Sequence, residues 1–159
     1  MLRTHTDSWN FREANTKEFT HTYHTYPAMM IPRIARRLLQ EYRPEGKFEL
    51  VFDPYMGSGT TLVEAKIIGI RSIGTDINPL AQFIAKSKIT NFDINKITNA
   101  RLLLIEAMST YVPNFDFTLE NVTNWEFWYD KNKVSELLFL THEISKLESK
   151  VQDFFKISL

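Results

Sequence analysis

The sequence predicts an α/β fold, an incomplete parallel sheet with helices continuing on its C-terminal side. Three observations lead there. Two strand-like stretches, 48–52, a short apolar run bounded by turn residues, and 71–76, are separated by a glycine turn and a helix-like stretch. Four of the five glycines fall between positions 57 and 74, so the special backbone is concentrated in one unit. From residue 94 onward apolar residues recur at helical spacing. Helix, strand, glycine turn, helix, strand and helix, followed by more helices, is half of an open α/β sheet.

Residues 1–25 are rich in Thr, His and aromatics without a sustained period, which reads as an N-terminal arm. Pro27 and Pro32 bracket the entry to a helix whose apolar stripe is Ile31, Ile34, Ala35, Leu38 and Leu39, ended by Pro44 and Gly46. Phe48 to Phe52 is the first strand. Gly57-Ser58-Gly59 turns the chain into a helix from Thr61 to Ile68, closed by Gly69. Arg71 to Asp76 is the second strand, and Pro79 suits the first position of a helix reaching about Ser87. These elements make an α/β unit over 26–93, and 94–159 is a helical extension. In it Ile97, Ala100, Leu104, Ala107 and Tyr111 mark one helix. Val134, Leu137, Leu138, Thr141, Ile144, Leu147, Val151 and Phe154 mark a single longer one.

Composition removes several function classes. Lys plus Arg and Asp plus Glu are 19 each, so grip on a nucleic acid by charge alone is a weak candidate. No cysteine is present, which excludes disulfides, thiolate zinc sites and a cysteine nucleophile. No apolar run approaches the roughly 18 residues of a membrane helix, and Met1 to Asn10 lacks an apolar signal core. The expectation is a cytoplasmic domain without a membrane or metal partner.

The chemistry is concentrated in residues 51–76. A strand ends at Asp53, glycines 57 and 59 follow, and a helix begins. Glycine removes the side chain where a ligand must lie against the backbone, and the N–H groups of the helix start then face that ligand. Asp76 ends the next strand, placed to accept both hydroxyls of a ribose. A Walker phosphate loop is excluded, because no Lys follows the second glycine, and Leu62 replaces the third glycine of a dinucleotide fingerprint. An acidic Asp53 at the head of the loop suits a cationic or zwitterionic ligand better than a pyrophosphate. S-adenosylmethionine, with a sulfonium, an amino acid end and a ribose, meets those demands.

The run Asp53-Pro54-Tyr55-Met56-Gly57-Ser58-Gly59-Thr60-Thr61-Leu62-Val63-Glu64-Ala65, then Gly74-Thr75-Asp76-Ile77-Asn78-Pro79-Leu80-Ala81, resembles the cofactor motif of the DNA amino-methyltransferases. These S-adenosylmethionine-dependent enzymes modify adenine N6 or cytosine N4. His21-Thr22-Tyr23-His24-Thr25-Tyr26-Pro27-Ala28, followed by Ile34 to Leu39, is similar to the family's preceding motif. The resemblance covers about residues 20–90. It implies a partial Rossmann-like class I methyltransferase fold. It also implies that Asp53, Gly57 and Gly59 line the cofactor, that Asp76 holds its ribose, and that Tyr26 and Pro27 lie near its methionine end. Pro54, Tyr55, Ser58, Thr60 and Ile77 belong to the same expected site, while Glu64 is given no definite role.

The family's catalytic motif is Asp, Asn or Ser followed by Pro-Pro and an aromatic, and no Pro-Pro occurs in these 159 residues. Asp53-Pro54-Tyr55 has one proline and belongs to the cofactor loop, and Asn78-Pro79-Leu80 lacks the aromatic. The expectation is therefore an S-adenosylmethionine-binding fragment or subunit of a DNA methyltransferase, with no catalytic residue of its own. DNA is then engaged through the complete enzyme, and a second polypeptide carries the catalytic motif. Its strand would pair with the first strand here. Rival expectations are a fragment of an RNA (guanine-N2 type) methyltransferase and a non-catalytic remnant that pairs with an active enzyme.

Other side chains have plainer readings. His21 and His24, with His5, could suggest a metal but lack further ligands. Arg33, Arg36 and Arg37 suit either phosphate contact or a solvated helix face. The cluster Trp125, Phe127, Trp128 and Tyr129 suits a core or interface better than a stacking platform.

Overall fold

The structure, a computed structural model, describes residues 9–27, 29–42, 50–119 and 122–159. The expectations placed on His5, Ala28, Pro44, Gly46, Phe48 and Glu49 lie outside the described residues. The chain divides between Thr90 and Asn91 into two compact units.

The first unit opens on a 3-10 turn, Phe19–Thr22, then α1 (Pro32–Glu41), β1 (Val51–Asp53), α2 (Thr60–Ile67), β2 (Ser72–Gly74) and α3 (Pro79–Ile89). Pro32 starts α1 because its missing N–H costs nothing in a first helical turn. Asn78 caps α3 by accepting the Leu80 N–H at 2.9 Å. β1 and β2 pair in parallel with Val51 opposite Ser72, Phe52 opposite Ile73 and Asp53 opposite Gly74. β1 runs one residue past the expected Phe52, and β2 is shorter than the expected 71–76. Val51 N–H to the Arg71 carbonyl and Thr75 N–H to the Asp53 carbonyl carry the ladder past their ends. Val51 packs with Ala65 and Ile70 as a buried cluster, with Leu39 and Ile68 against it. Alternation along a strand sends Phe52 and Ile73 to the opposite face, where they are 60% and 51% exposed.

The second unit contains α4 (Ile94–Ser109), α5 (Trp125–Trp128), α6 (Lys131–Ser145) and α7 (Ser149–Lys156). Asp93 and Asp130 cap α4 and α6, each accepting two backbone N–H groups of the first turn. The single long helix expected through Phe154 is two helices. The chain breaks at 146–148, and Gln152 Nε2 donates to the carbonyls of Ser145 and Leu147, which the break leaves free. Val134, Ile144 and Val151 are buried on either side of it. Trp125 is also buried, its ring centroid 5.3 Å from that of Phe117, whereas Phe127, Trp128 and Tyr129 are exposed, so the aromatic cluster is buried at one residue only. No helix of the described residues is long and apolar enough to cross a membrane.

Glycine decides the turn after β1. Gly57 and Gly59 have φ +50 and +81, and a Cβ on Gly59 would stand 2.7 Å from the Ala85 Cβ. Gly69 (φ +76) has open space around its missing Cβ. Gly69→Ala therefore costs about 1 kcal/mol of backbone strain alone. Gly59→Ala adds a clash with α3 and costs about 2–5 kcal/mol. Urea denaturation of the two variants checks that order.

Candidate functional site

β1 delivers its last residue, Asp53, to the head of the turn. The Asp53 carboxylate accepts the Tyr55 N–H at 3.1 Å, which starts a tight local turn. The Met56 N–H reaches the Thr75 carbonyl, and the Gly59 N–H returns to the Met56 carbonyl. Gly59 in its left-handed conformation is the N-cap of α2 and offers no capping side chain. The first N–H groups of α2 therefore have neither an intrahelical acceptor nor a side-chain cap. They lie at a cleft of about 110 Å³ lined by Tyr26, Met29, Met30, Asp53, Tyr55 and Met56, with Gly57, Ser58, Thr60 and Thr61 at its base.

Asp76 follows β2 and ties the two strand ends together. Its Oδ2 accepts the Gly57 N–H at 2.9 Å, and its Oδ1 accepts the Asn78 N–H at 2.8 Å. Each carboxylate oxygen keeps acceptor capacity beyond one such bond. Asn78 Nδ2 donates to the Tyr26 hydroxyl at 3.2 Å, so the segment before α1 is tied across to the end of β2. Ile77 beside it is 99% exposed.

Of the residues expected in the site, Tyr26, Asp53, Tyr55, Gly57, Ser58 and Thr60 line the cleft. Pro27, Pro54, Gly59, Asp76 and Ile77 are outside its lining. Gly59 shapes the turn, the Pro54 carbonyl accepts from the Thr75 hydroxyl, and Asp76 adjoins through Gly57. Sequence reasoning missed Met29, Met30, Met56 and Thr61. Thr61 lay inside the recognised run, while the two methionines before Pro32 carry no pattern of their own.

Under the cleft lies a charged cluster that sequence reasoning also missed. Glu64, one turn beyond Thr60 on α2, is fully buried. Its Oε1 accepts from His21 Nε2 at 2.9 Å, and Arg36 donates Nε to its Oε2 at 2.5 Å and a second N–H to its Oε1 at 3.2 Å. Because a carboxylate only accepts, His21 carries a proton on Nε2. Arg36 also reaches Glu18 at 3.5 Å, and Arg33 meets the other Glu18 oxygen at 3.4 Å. Arg36 is thus committed to two carboxylates on a partly exposed side chain, and His21 is bound to a carboxylate instead of standing free for a metal. Burial pushes the Glu64 carboxyl up. The hydrogen bonds and charges of His21 and Arg36 outweigh it and hold the group below its ordinary 4.5. The same bond to Glu64 raises the Arg36 guanidinium against its own burial.

With this geometry in view, comparisons with known proteins bear on the same residues. The sequence profile of the N6/N4 DNA methylase family matches residues 2–87, which include the cleft and the charged cluster. The type II methyltransferase M.MvaI of Kocuria varians is 37% identical across 91% of the chain. The type II methyltransferase M.BsoBI of Geobacillus stearothermophilus is 30% identical across 82%. The tRNA (guanine(10)-N2)-dimethyltransferase of Methanocaldococcus jannaschii is 41% identical across 33%. The chain spans 34%, 25% and 15% of the lengths of these three proteins. No solved structure matches it.

Glu64 titrates lower in the folded chain than in the unfolded one, so its contribution to stability is complete above pH 4.5 and fades as pH falls through the folded value. Denaturation midpoints measured from pH 7 to 3 should therefore fall on the acid side. In Glu64→Gln, less stable at pH 7, the fall should be shallower, and parallel curves for the two proteins would remove Glu64 from the acid response.

Proposed function

The chain belongs to the N6/N4 DNA methylase family, and on that footing we propose that it is the S-adenosylmethionine-binding part of a DNA methyltransferase acting on an exocyclic amino group of adenine or cytosine. One observation carries the reading. β1, a left-handed glycine turn and the uncapped start of α2 form a cleft, and Asp76 from the neighbouring strand is hydrogen-bonded to the same turn. The fold is then part of a Rossmann-like class I methyltransferase.

When bound, the cofactor supplies a sulfonium-activated methyl group. The residues of this chain bind and orient. Asp53 puts a negative charge at the cleft, which favours a cationic ligand over a pyrophosphate. Gly57 lets the backbone approach, Asp76 has acceptor capacity left for ribose hydroxyls, and Ile77 offers an apolar surface to a base. Tyr26, Pro27 and the methionines beside them bound the amino acid end. In that reaction the target nitrogen would form its bond to the methyl carbon as the S–C bond breaks, the sulfonium would leave as the thioether and the amine would give up a proton, so what this chain contributes is positioning.

The segment that binds the target amine is supplied from outside these residues. Parallel sheets are covered on both faces, yet Phe52 and Ile73 are half-exposed or more, and β1 pairs only with β2 among the described residues. A cleft of about 110 Å³ is also smaller than the roughly 300–1,000 Å³ of ligand pockets generally. A second polypeptide stretch bearing Pro-Pro and an aromatic, paired on the free edge of β1, would widen the sheet, finish the cleft and bring the flipped base, with DNA recognition carried by the complete enzyme. A restriction-modification role follows by analogy with the type II relatives. The likeness to a tRNA guanine-N2 enzyme extends over a third of the chain and keeps an RNA substrate as the second reading.

Calorimetric titration with S-adenosylhomocysteine tests the binding claim. The folded chain should bind in the micromolar range, and Asp76→Ala should weaken binding by more than about tenfold, or about 1.4 kcal/mol. A folded chain that does not bind, or an Asp76→Ala variant that binds as well as the original, would contradict it.

A further inference from the structure

Glu64 is the least exposed carboxylate among the described residues of the first unit, it is not part of the cleft lining, and binding as described above makes no use of it. A carboxylate stays ionised in such a place only when hydrogen-bonded cations surround it. What it holds is informative. His21 closes the 3-10 turn region before the cleft wall, and Arg36 sits in α1 just after it. The chain between them carries Tyr26, Met29 and Met30, three of the cleft's lining residues. Both ends of that excursion are fastened to one side chain. Thr60, which also lines the cleft, is one helical turn away from it on α2. Glu18 binds Arg36 and Arg33 from outside, so the clip has an outer strand of charge as well.

We propose that Glu64 is a positioning residue for the cleft: by holding His21 and Arg36 together it closes the loop that carries Tyr26, Met29 and Met30 and sets that wall against the start of α2. Tying the two ends of a flexible excursion removes much of the entropy that a ligand would otherwise have to quench on binding. The wall so fixed is the one assigned above to the amino acid end of the cofactor. The opposite side, at Asp76 and Ile77, is anchored on β2 and meets the clipped loop at one exposed hydrogen bond, from Asn78 Nδ2 to the Tyr26 hydroxyl. Loss of Glu64 therefore acts chiefly on one end of the ligand. This inference rests on the cofactor reading, and its test separates the two.

The full chain, Glu64→Gln and Arg36→Met are titrated with S-adenosylhomocysteine and with 5′-methylthioadenosine, which keeps the nucleoside and lacks the amino acid end. Far-ultraviolet circular dichroism confirms that each variant is folded. Arg36→Met removes one side of the clip at a partly exposed position, and so carries the test if Glu64→Gln does not fold. Both variants should lose about tenfold or more in affinity for S-adenosylhomocysteine and less than about threefold for methylthioadenosine. Equal losses for the two ligands, or no loss for either, would overturn the positioning role. If the original chain binds neither ligand, the cofactor reading fails and the inference falls with it.

Discussion

The approach of Gly59 to Ala85 is the constraint on which the first unit depends. No Cβ fits between the turn after β1 and α3, and the turn's φ of +81 is one that side-chain-bearing residues adopt only with strain. Because the turn closes there, α2 starts directly behind the end of β1, and its first N–H groups stay uncapped toward the cleft. The parallel register then fixes where Asp76 emerges, close enough for its carboxylate to accept the Gly57 N–H. Gly74, whose Cβ would meet Met56 and Leu62 within 3 Å, removes the last obstruction between β2 and the turn.

Around this frame, charge does work that apolar packing cannot. The apolar cluster of Val51, Ala65 and Ile70 is small, and it holds α2 to the sheet. The side of α2 that faces the N-terminal segment instead buries a carboxylate between a histidine and an arginine. Ion pairs of this kind add little net stability over an apolar contact, because desolvation consumes much of the attraction. They add direction, since a carboxylate accepts in defined places and a guanidinium donates in a fixed fork. A wall that must hold a shape for a ligand benefits from direction more than from raw stability.

Much of the frame was legible in the sequence. The glycines at 57 and 59 announced the turn and Gly69 a helix end, Pro32 and Pro79 announced helix starts, and Asp53 announced the end of β1, whereas β2 ends at Gly74, two residues before Asp76. The elements that escaped did so for physical reasons. The break at 146–148 carries no Pro or Gly, and Ile144 and Val151 are seven apart, so the apolar stripe runs through it in phase. Glu64 and Arg36 are 28 residues apart, and local periodicity holds no information on which charge meets which. Arg36 therefore read as a free cation, and Glu64 as part of a motif without a task. Met29 and Met30 line the cleft only because the clip folds their segment over it.

On the proposed reading, the exposed face at Phe52 and Ile73 lies beside the place where other residues would complete the chemistry. The central claim is that the cofactor lies in the cleft between Tyr26, Tyr55 and the glycine turn. Ultraviolet crosslinking of methyl-labelled S-adenosylmethionine, followed by peptide mapping, tests it most directly. The account predicts label on peptides containing Tyr26 or Tyr55, reduced by excess S-adenosylhomocysteine. Label confined to the exposed aromatics Phe127 and Trp128, or none on the folded chain, would contradict it.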